Sequence, residues 1–173
     1  GGEIEMIRTI CLIALSCILN TYTASAEDSP IQFPADYKAT FTNYLNLDRT
    51  QNPDQIIRLY ANDVALKGVR ETGEFPDGSI LVGEIYKAKT DQDGNIIVSQ
   101  LGRRIIDKFA LVAVMEKQAG WGERFAEGLK NDDWDFAAFK PDGTTAEKDL
   151  NSCRACHAPL VKSQHTFSYE HLQ

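Results

Sequence analysis

Past residue 26 the sequence holds only two cysteines, Cys153 and Cys156, a single methionine, Met115, and no histidine before His157. Each scarcity narrows what the chain can do. One cysteine pair cannot complete a zinc site that needs a second pair. No run of lysine and arginine occurs, so the electrostatic footprint of a nucleic-acid binder is missing. No segment past residue 26 is long and apolar enough to serve as a membrane helix. Asp91, Asp93 and Asn95 resemble the start of a calcium loop, but no glutamate stands at the required later position, which leaves a polar hairpin tip. No internal repeat is visible.

The other two cysteines, Cys11 and Cys17, lie in a leader. Met6 reads as its start, Arg8 as its charged end, and Ile10 to Leu19 as an apolar run too short to span a bilayer. Ala24-Ser25-Ala26 is a small-x-small cleavage site, so residues 1–26 are expected to be upstream residues plus a secretory signal. Residues 27–173 then form one domain of 147 residues, enough for a real core. They carry 23 acidic and 17 basic residues, a formal charge of −6 that favours solubility. Export points to the periplasm of a Gram-negative bacterium.

Against this background stands Cys153-Arg154-Ala155-Cys156-His157, which fits the C-x-x-C-H pattern of c-type haem attachment. Two thiols one helical turn apart can each add to a vinyl group on one haem edge, and the imidazole that follows reaches the iron from the proximal side. A C-x-x-C pair is also read as a redox couple, half of a zinc site or a structural disulfide. A redox couple has no need of the histidine, and the second zinc pair is missing. Only 16 residues follow His157, and none is methionine, so the motif is C-terminal and the usual later methionine ligand has no counterpart. Met115 sits in an apolar run and reads as core; His165 and His171 read as surface residues. An electron carrier with Met115 or His165 as sixth ligand is the reading these residues leave open. Otherwise the iron has a vacant face, suited to small gases.

Periodicity and turn residues give an α+β domain with a mostly antiparallel sheet and flanking helices. A helix is expected over Tyr37 to Leu47, a strand over Ile56 to Ala61, and a short helix capped by Asn62 or Asp63 through about Glu71. Strands follow at Ser79 to Ala88 and Ile96 to Leu101, a hairpin closed by Asp91 to Asn95. Phe109 to Met115 reads as a buried strand, Arg124 to Leu129 as a helical turn, and Trp134 to Phe139 as another strand. Thr145 to His157 is expected to be a helix carrying the haem motif. Trp121 and Trp134 read as packing residues.

The chain resembles the cytochrome P-460 family, which includes the cytochromes c′-beta. The resemblance runs from about Phe33 to Phe167 and rests on several stretches in order: Phe33-Pro34-Ala35-Asp36-Tyr37, Ile57 to Asn62, Thr72 to Ser79, Trp134-x-Phe136, Ser152 to His157 and Phe167. It implies an antiparallel sheet with helices, a homodimer, and one haem c with a proximal histidine and an open distal face. Two activities occur in the family. Cytochromes P-460 oxidise hydroxylamine with a haem cross-linked to a lysine; c′-beta members lack the cross-link and bind nitric oxide or carbon monoxide in an apolar pocket. At the position expected for the lysine this sequence has Gly83, with Lys67 and Lys87 nearby but displaced. At the position expected for the proton-accepting carboxylate it has Val112, in a run without acids. A dry pocket without a base is poorly suited to deprotonating hydroxylamine.

The resemblance therefore implies a c′-beta-like haem protein, with Cys153 and Cys156 attaching the haem and His157 ligating the iron. A periplasmic redox partner is a further expectation. Phe75 is the expected aromatic lid over the iron, with Phe41 and Val112 as further distal residues. Arg58 is the expected partner of a haem propionate, since a guanidinium suits carboxylates. No catalytic residue is assigned.

Overall fold

The structure is a computed structural model that describes residues 28–173. The leader expected at 1–26 lies outside the described residues. The fold is α+β: a five-stranded sheet in which each strand pairs antiparallel with the next in sequence. The strands are β1 (Thr42–Asp48), β2 (Gln55–Ala61), β3 (Ile80–Ala88), β4 (Ile106–Lys117) and β5 (Trp134–Phe139). Among the described residues three α-helices accompany them: α1 (Tyr37–Thr40), α2 (Asp63–Thr72) and α3 (Leu150–His157).

The helix expected over Tyr37 to Leu47 is mostly strand. Only Tyr37–Thr40 turns helically, and β1 starts at Thr42. A register shift between Asn43 and Leu45 explains the misreading: a bulge inserts a residue and spoils the two-residue alternation. The second arm of the expected hairpin, Ile96 to Leu101, forms only the isolated bridges Thr90–Ile96 and Val98–Arg104. Val98 and Leu101 are exposed there, so the segment buries too little apolar surface to make a strand of the sheet. At the tip, the Asp91 carboxylate accepts the N–H groups of Asp93 and Asn95.

Around α2 the sequence signals are met by geometry. Asn62 Oδ1 accepts the Ala65 N–H at 3.0 Å as the N-cap, and Gly73 closes the helix in the left-handed region at φ 76°. Thr145 to Asp149 are not helical. Ala146 N–H instead donates to the Ala138 carbonyl, so this segment folds back on β5 after the turn at Gly143. The helix starts at Leu150 because the Asp149 carboxylate accepts the N–H groups of Asn151 and Ser152. The expected helical turn at Arg124 to Leu129 is two 3-10 turns, Trp121–Arg124 and Glu127–Leu129.

Side chains opposite one another in an antiparallel pair share a face, so register sorts the sheet into two sides. On one side Leu45, Leu59, Gly83, Ala113 and Ala138 form a row across all five strands. Leu47, Ile57, Ile85 and Leu111 form the next row, and Ala61, Leu81, Met115 and Phe136 the row on the other flank. The last row is covered by α2, Phe75, Trp134 and Leu172. On the opposite side Tyr60, Val82, Val112, Val114 and Phe139 pack beneath Ile31, Phe33, Tyr37 and Phe41.

That second layer is tied down by Glu84, which has no exposed surface. Its carboxylate accepts from Tyr37 (2.6 Å), Tyr86 (2.8 Å), Tyr60 (3.2 Å) and the Lys38 ammonium (2.9 Å). Burial pushes the Glu84 pKa up, but the hydrogen bonds from Tyr37, Lys38 and Tyr86 outweigh it and hold the carboxyl below its ordinary value. The folded state therefore binds fewer protons than the unfolded chain just below the ordinary glutamate range. Glu84 contributes stability that is full above about pH 4.3 and lost as pH falls through its folded pKa. Glu84→Gln is expected to be less stable near neutrality and to flatten this acid limb, read as urea midpoints across the acid range. An unchanged acid limb in the variant would remove Glu84 from the account.

Candidate functional site

Helix α3 is eight residues long, and one of its residues decides how the other functional ones point. Arg154 is fully buried. Its Nε and Nη2 donate to Asp135 Oδ1 at 3.1 and 2.8 Å, and its Nη1 donates to Asn151 Oδ1 at 2.8 Å. The guanidinium lies 4.3 Å from the Phe125 ring centroid, and Arg124 closes the other Asp135 oxygen at 2.7 Å. With Arg154 locked on β5, the 3.6-residue period puts Cys153, Cys156 and His157 within an arc of about 100° on an adjoining face. Cys153 is partly exposed, Cys156 is exposed, and neither is in a disulfide. Burial raises the Cys153 thiol pKa, so it rests as the thiol.

His157 is held on three sides. Its Nδ1 lies 2.7 Å from the His165 carbonyl oxygen, which makes Nδ1 the protonated nitrogen and leaves Nε2 as the free donor atom. Phe136 and Phe167 meet the ring edge-on, each with centroids at 4.9 Å. Burial lowers the His157 pKa, partly offset by the His165 hydrogen bond, so the imidazole is neutral at pH 7.

Phe136 belongs to the same sheet face as Gly83, which places His157 at the border of that face. Beyond Phe136 the face is apolar. Leu45, Leu47, Ile57, Leu59, Leu111 and Ala113 are only half-buried there. A Cβ placed on Gly83 would meet Ile57 and Leu59 at 3.1 and 3.5 Å, so position 83 also opens onto this face. Arg49, in the β1–β2 turn, borders the same region. Burial lowers its pKa, and its Nη1 donates to Gln55 Oε1 at 2.7 Å. The Trp134 indole Nε1 is buried with no hydrogen-bond partner among the described residues.

These features fit a haem. A flat macrocycle needs a broad apolar wall, two thiols on one edge and one neutral imidazole nitrogen, and the residues supply all three. An antiparallel sheet with a half-buried apolar stretch on one face, bordered by a helix bearing that donor set, suits a haem-binding cytochrome. The chain belongs to the cytochrome P460 family, whose model matches residues 34–168. That membership makes haem its cofactor. No curated protein matches the chain.

The other residues read from sequence are distributed differently. Val112 faces the opposite side of the sheet, between Glu84 and Phe139 in register, and Phe41 packs on that side too. Arg58 is also there, its guanidinium 4.9 Å from the Tyr86 ring and in register with Glu84. Strand alternation sets these sides: Ala113, Ile57 and Leu59, one residue away from Val112 and Arg58, lie on the side of Gly83 and Phe136. Phe75 is on the motif side but already covered, 2% exposed and edge-on to Trp134 and Tyr169. His165 stands beside His157, its Nδ1 3.4 Å from the His157 carbonyl, rather than across from it. Met115 packs against the cluster around Phe75. Lys87 is engaged by Asp54 at 2.6 Å, and Lys67 lies exposed on α2 beside Asp63. Arg49, a lone arginine in a turn, carries no local signal in the sequence.

Proposed function

We propose that this protein is an exported mono-haem cytochrome of the c′-beta kind, which binds a small neutral ligand such as nitric oxide or carbon monoxide. Cys153 and Cys156 hold the haem through thioether bonds, and His157 Nε2 ligates the iron. Ferrous haem with one protein ligand supplies an open coordination position for a diatomic gas. The chain's residues do the rest. Arg154 fixes the helix, the His165 carbonyl holds the proton on Nδ1, and the half-buried leucines and Ile57 would keep water from the haem. Arg49, half-buried in the β1–β2 turn, would pair with a haem propionate, a role that suits a guanidinium.

The observation that carries this reading is position 83. Its side-chain direction opens onto the apolar face, and it is glycine, so no amine stands there to bond a porphyrin. The face around it, from Leu45 to Ala138 in its row, offers no acid either; Glu84 points to the other side. A neutral diatomic ligand suits such a wall, whereas hydroxylamine oxidation needs a proton acceptor.

The absorption spectrum of the ferrous protein tests the proposal. A high-spin spectrum that shifts on adding carbon monoxide or nitric oxide is the expected result. A low-spin ferrous spectrum indifferent to carbon monoxide would mean a side chain fills the sixth position. Intact mass with tryptic mapping should find two protein–haem bonds; a third would favour the hydroxylamine-oxidising activity.

A further inference from the structure

The loop that follows α3 contains two consecutive non-glycine residues in the left-handed region, Gln164 at φ 49° and His165 at φ 62°. Side chains adopt that conformation in succession only where the surroundings over-determine it. Here the determinants are visible. The His165 N–H donates to the Leu160 carbonyl at 2.7 Å. The Gln164 side chain reaches across to the segment after α2, where its Nε2 donates to the Gly73 carbonyl at 2.6 Å and its Oε1 accepts the Phe75 N–H at 3.0 Å. The turn so fixed directs the His165 carbonyl onto His157 Nδ1 at 2.7 Å.

We propose that Gln164 is a positioning residue for the iron ligand: its amide straps the proximal loop to the Gly73–Phe75 backbone and thereby keeps the His165 carbonyl on His157 Nδ1. This rests on the reading of His157 as the ligand. The strap needs one donor and one acceptor at the end of the same side chain, which an amide provides and a carboxylate does not. The carbonyl it maintains fixes the imidazole tautomer and raises its basicity toward the metal. The Tyr169 hydroxyl also donates to the Gly73 carbonyl, at 2.6 Å, without touching the left-handed turn, and so serves as a control.

The test is resonance Raman spectroscopy of the ferrous, haem-loaded protein. Gln164→Ala is expected to move the iron–histidine stretch several wavenumbers lower and to broaden it, and Gln164→Glu to move it part of the way. Tyr169→Phe is expected to leave the band in place, with the number of protein–haem bonds by mass unchanged in all three. A Gln164→Ala band identical to wild type overturns the inference, as does an equal shift in Tyr169→Phe, which would trace the effect to general loosening. Absence of an iron–histidine band from the wild type would instead overturn the ligand assignment itself, and this inference with it.

Discussion

Arg154→Met is expected to lower the unfolding free energy by about 3–5 kcal/mol, the cost typical of leaving a buried charge without its partner. Arg154 and Asp135 both have fully buried side chains. Removing the guanidinium strips Asp135 of two of its charge-assisted hydrogen bonds, and Arg124, whose side chain is about a third exposed, cannot replace them from its place on the other oxygen. Arg154→Lys is expected to recover little, because an ammonium cannot reproduce the fork that contacts Asp135 and Asn151 at once. Combining Arg154→Met with Asp135→Leu should restore much of the loss, since an ion pair replaced by apolar residues is often close to neutral. Urea denaturation of the three variants measures all of this. A loss below about 1 kcal/mol for Arg154→Met would place the pair among ordinary surface bridges and leave the orientation of α3 unexplained.

Arg154 also shows where sequence reading stops. The spacing of Cys153, Cys156 and His157 is legible because it is local, set by one turn of one helix. That the first residue between the cysteines is the helix's anchor is not legible, because Asp135 and Phe125 lie far away in the chain. The same division runs through the fold. The strands at β2, β3, β4 and β5 could be read from alternation or continuous apolar runs, and the antiparallel α+β class followed. β1 could not, because its bulge at Asn43–Leu45 breaks the alternation on which the reading depends.

The face that each strand side chain takes is the least legible feature of the sequence. Sequence places an apolar stretch in the sheet, but a shift of one residue exchanges its two sides. Val112 and Arg58 thus share one side of the sheet, while their neighbours Ala113, Ile57 and Leu59 share the other. Gly83 lies on the same side as Ile57 and Leu59, which a Cβ at that position would meet at 3.1 and 3.5 Å.

The largest chemical effect is expected from Cys153→Ser combined with Cys156→Ser, which should abolish haem retention after acid and organic extraction while leaving the fold intact. The two thiols contribute little to holding the haem-free chain together. Cys156 is exposed, and Cys153, partly exposed, makes only a long 3.8 Å hydrogen bond from Sγ to the Asp149 carbonyl among the described residues. Serine at both positions should therefore change the stability of the haem-free chain by no more than about 0.5 kcal/mol, as for surface substitutions. His157→Ala should behave in the opposite way. The thioether attachment persists, because the cysteines are untouched, but the ferrous spectrum loses its histidine ligation and the His165 carbonyl loses its donor. The two variants thus separate attachment from ligation. If the double serine variant still carries haem through denaturation, the covalent site lies elsewhere. If His157→Ala keeps an unaltered ferrous spectrum, the iron is held by another residue, and the geometry of the His157–His165 pair belongs to packing alone.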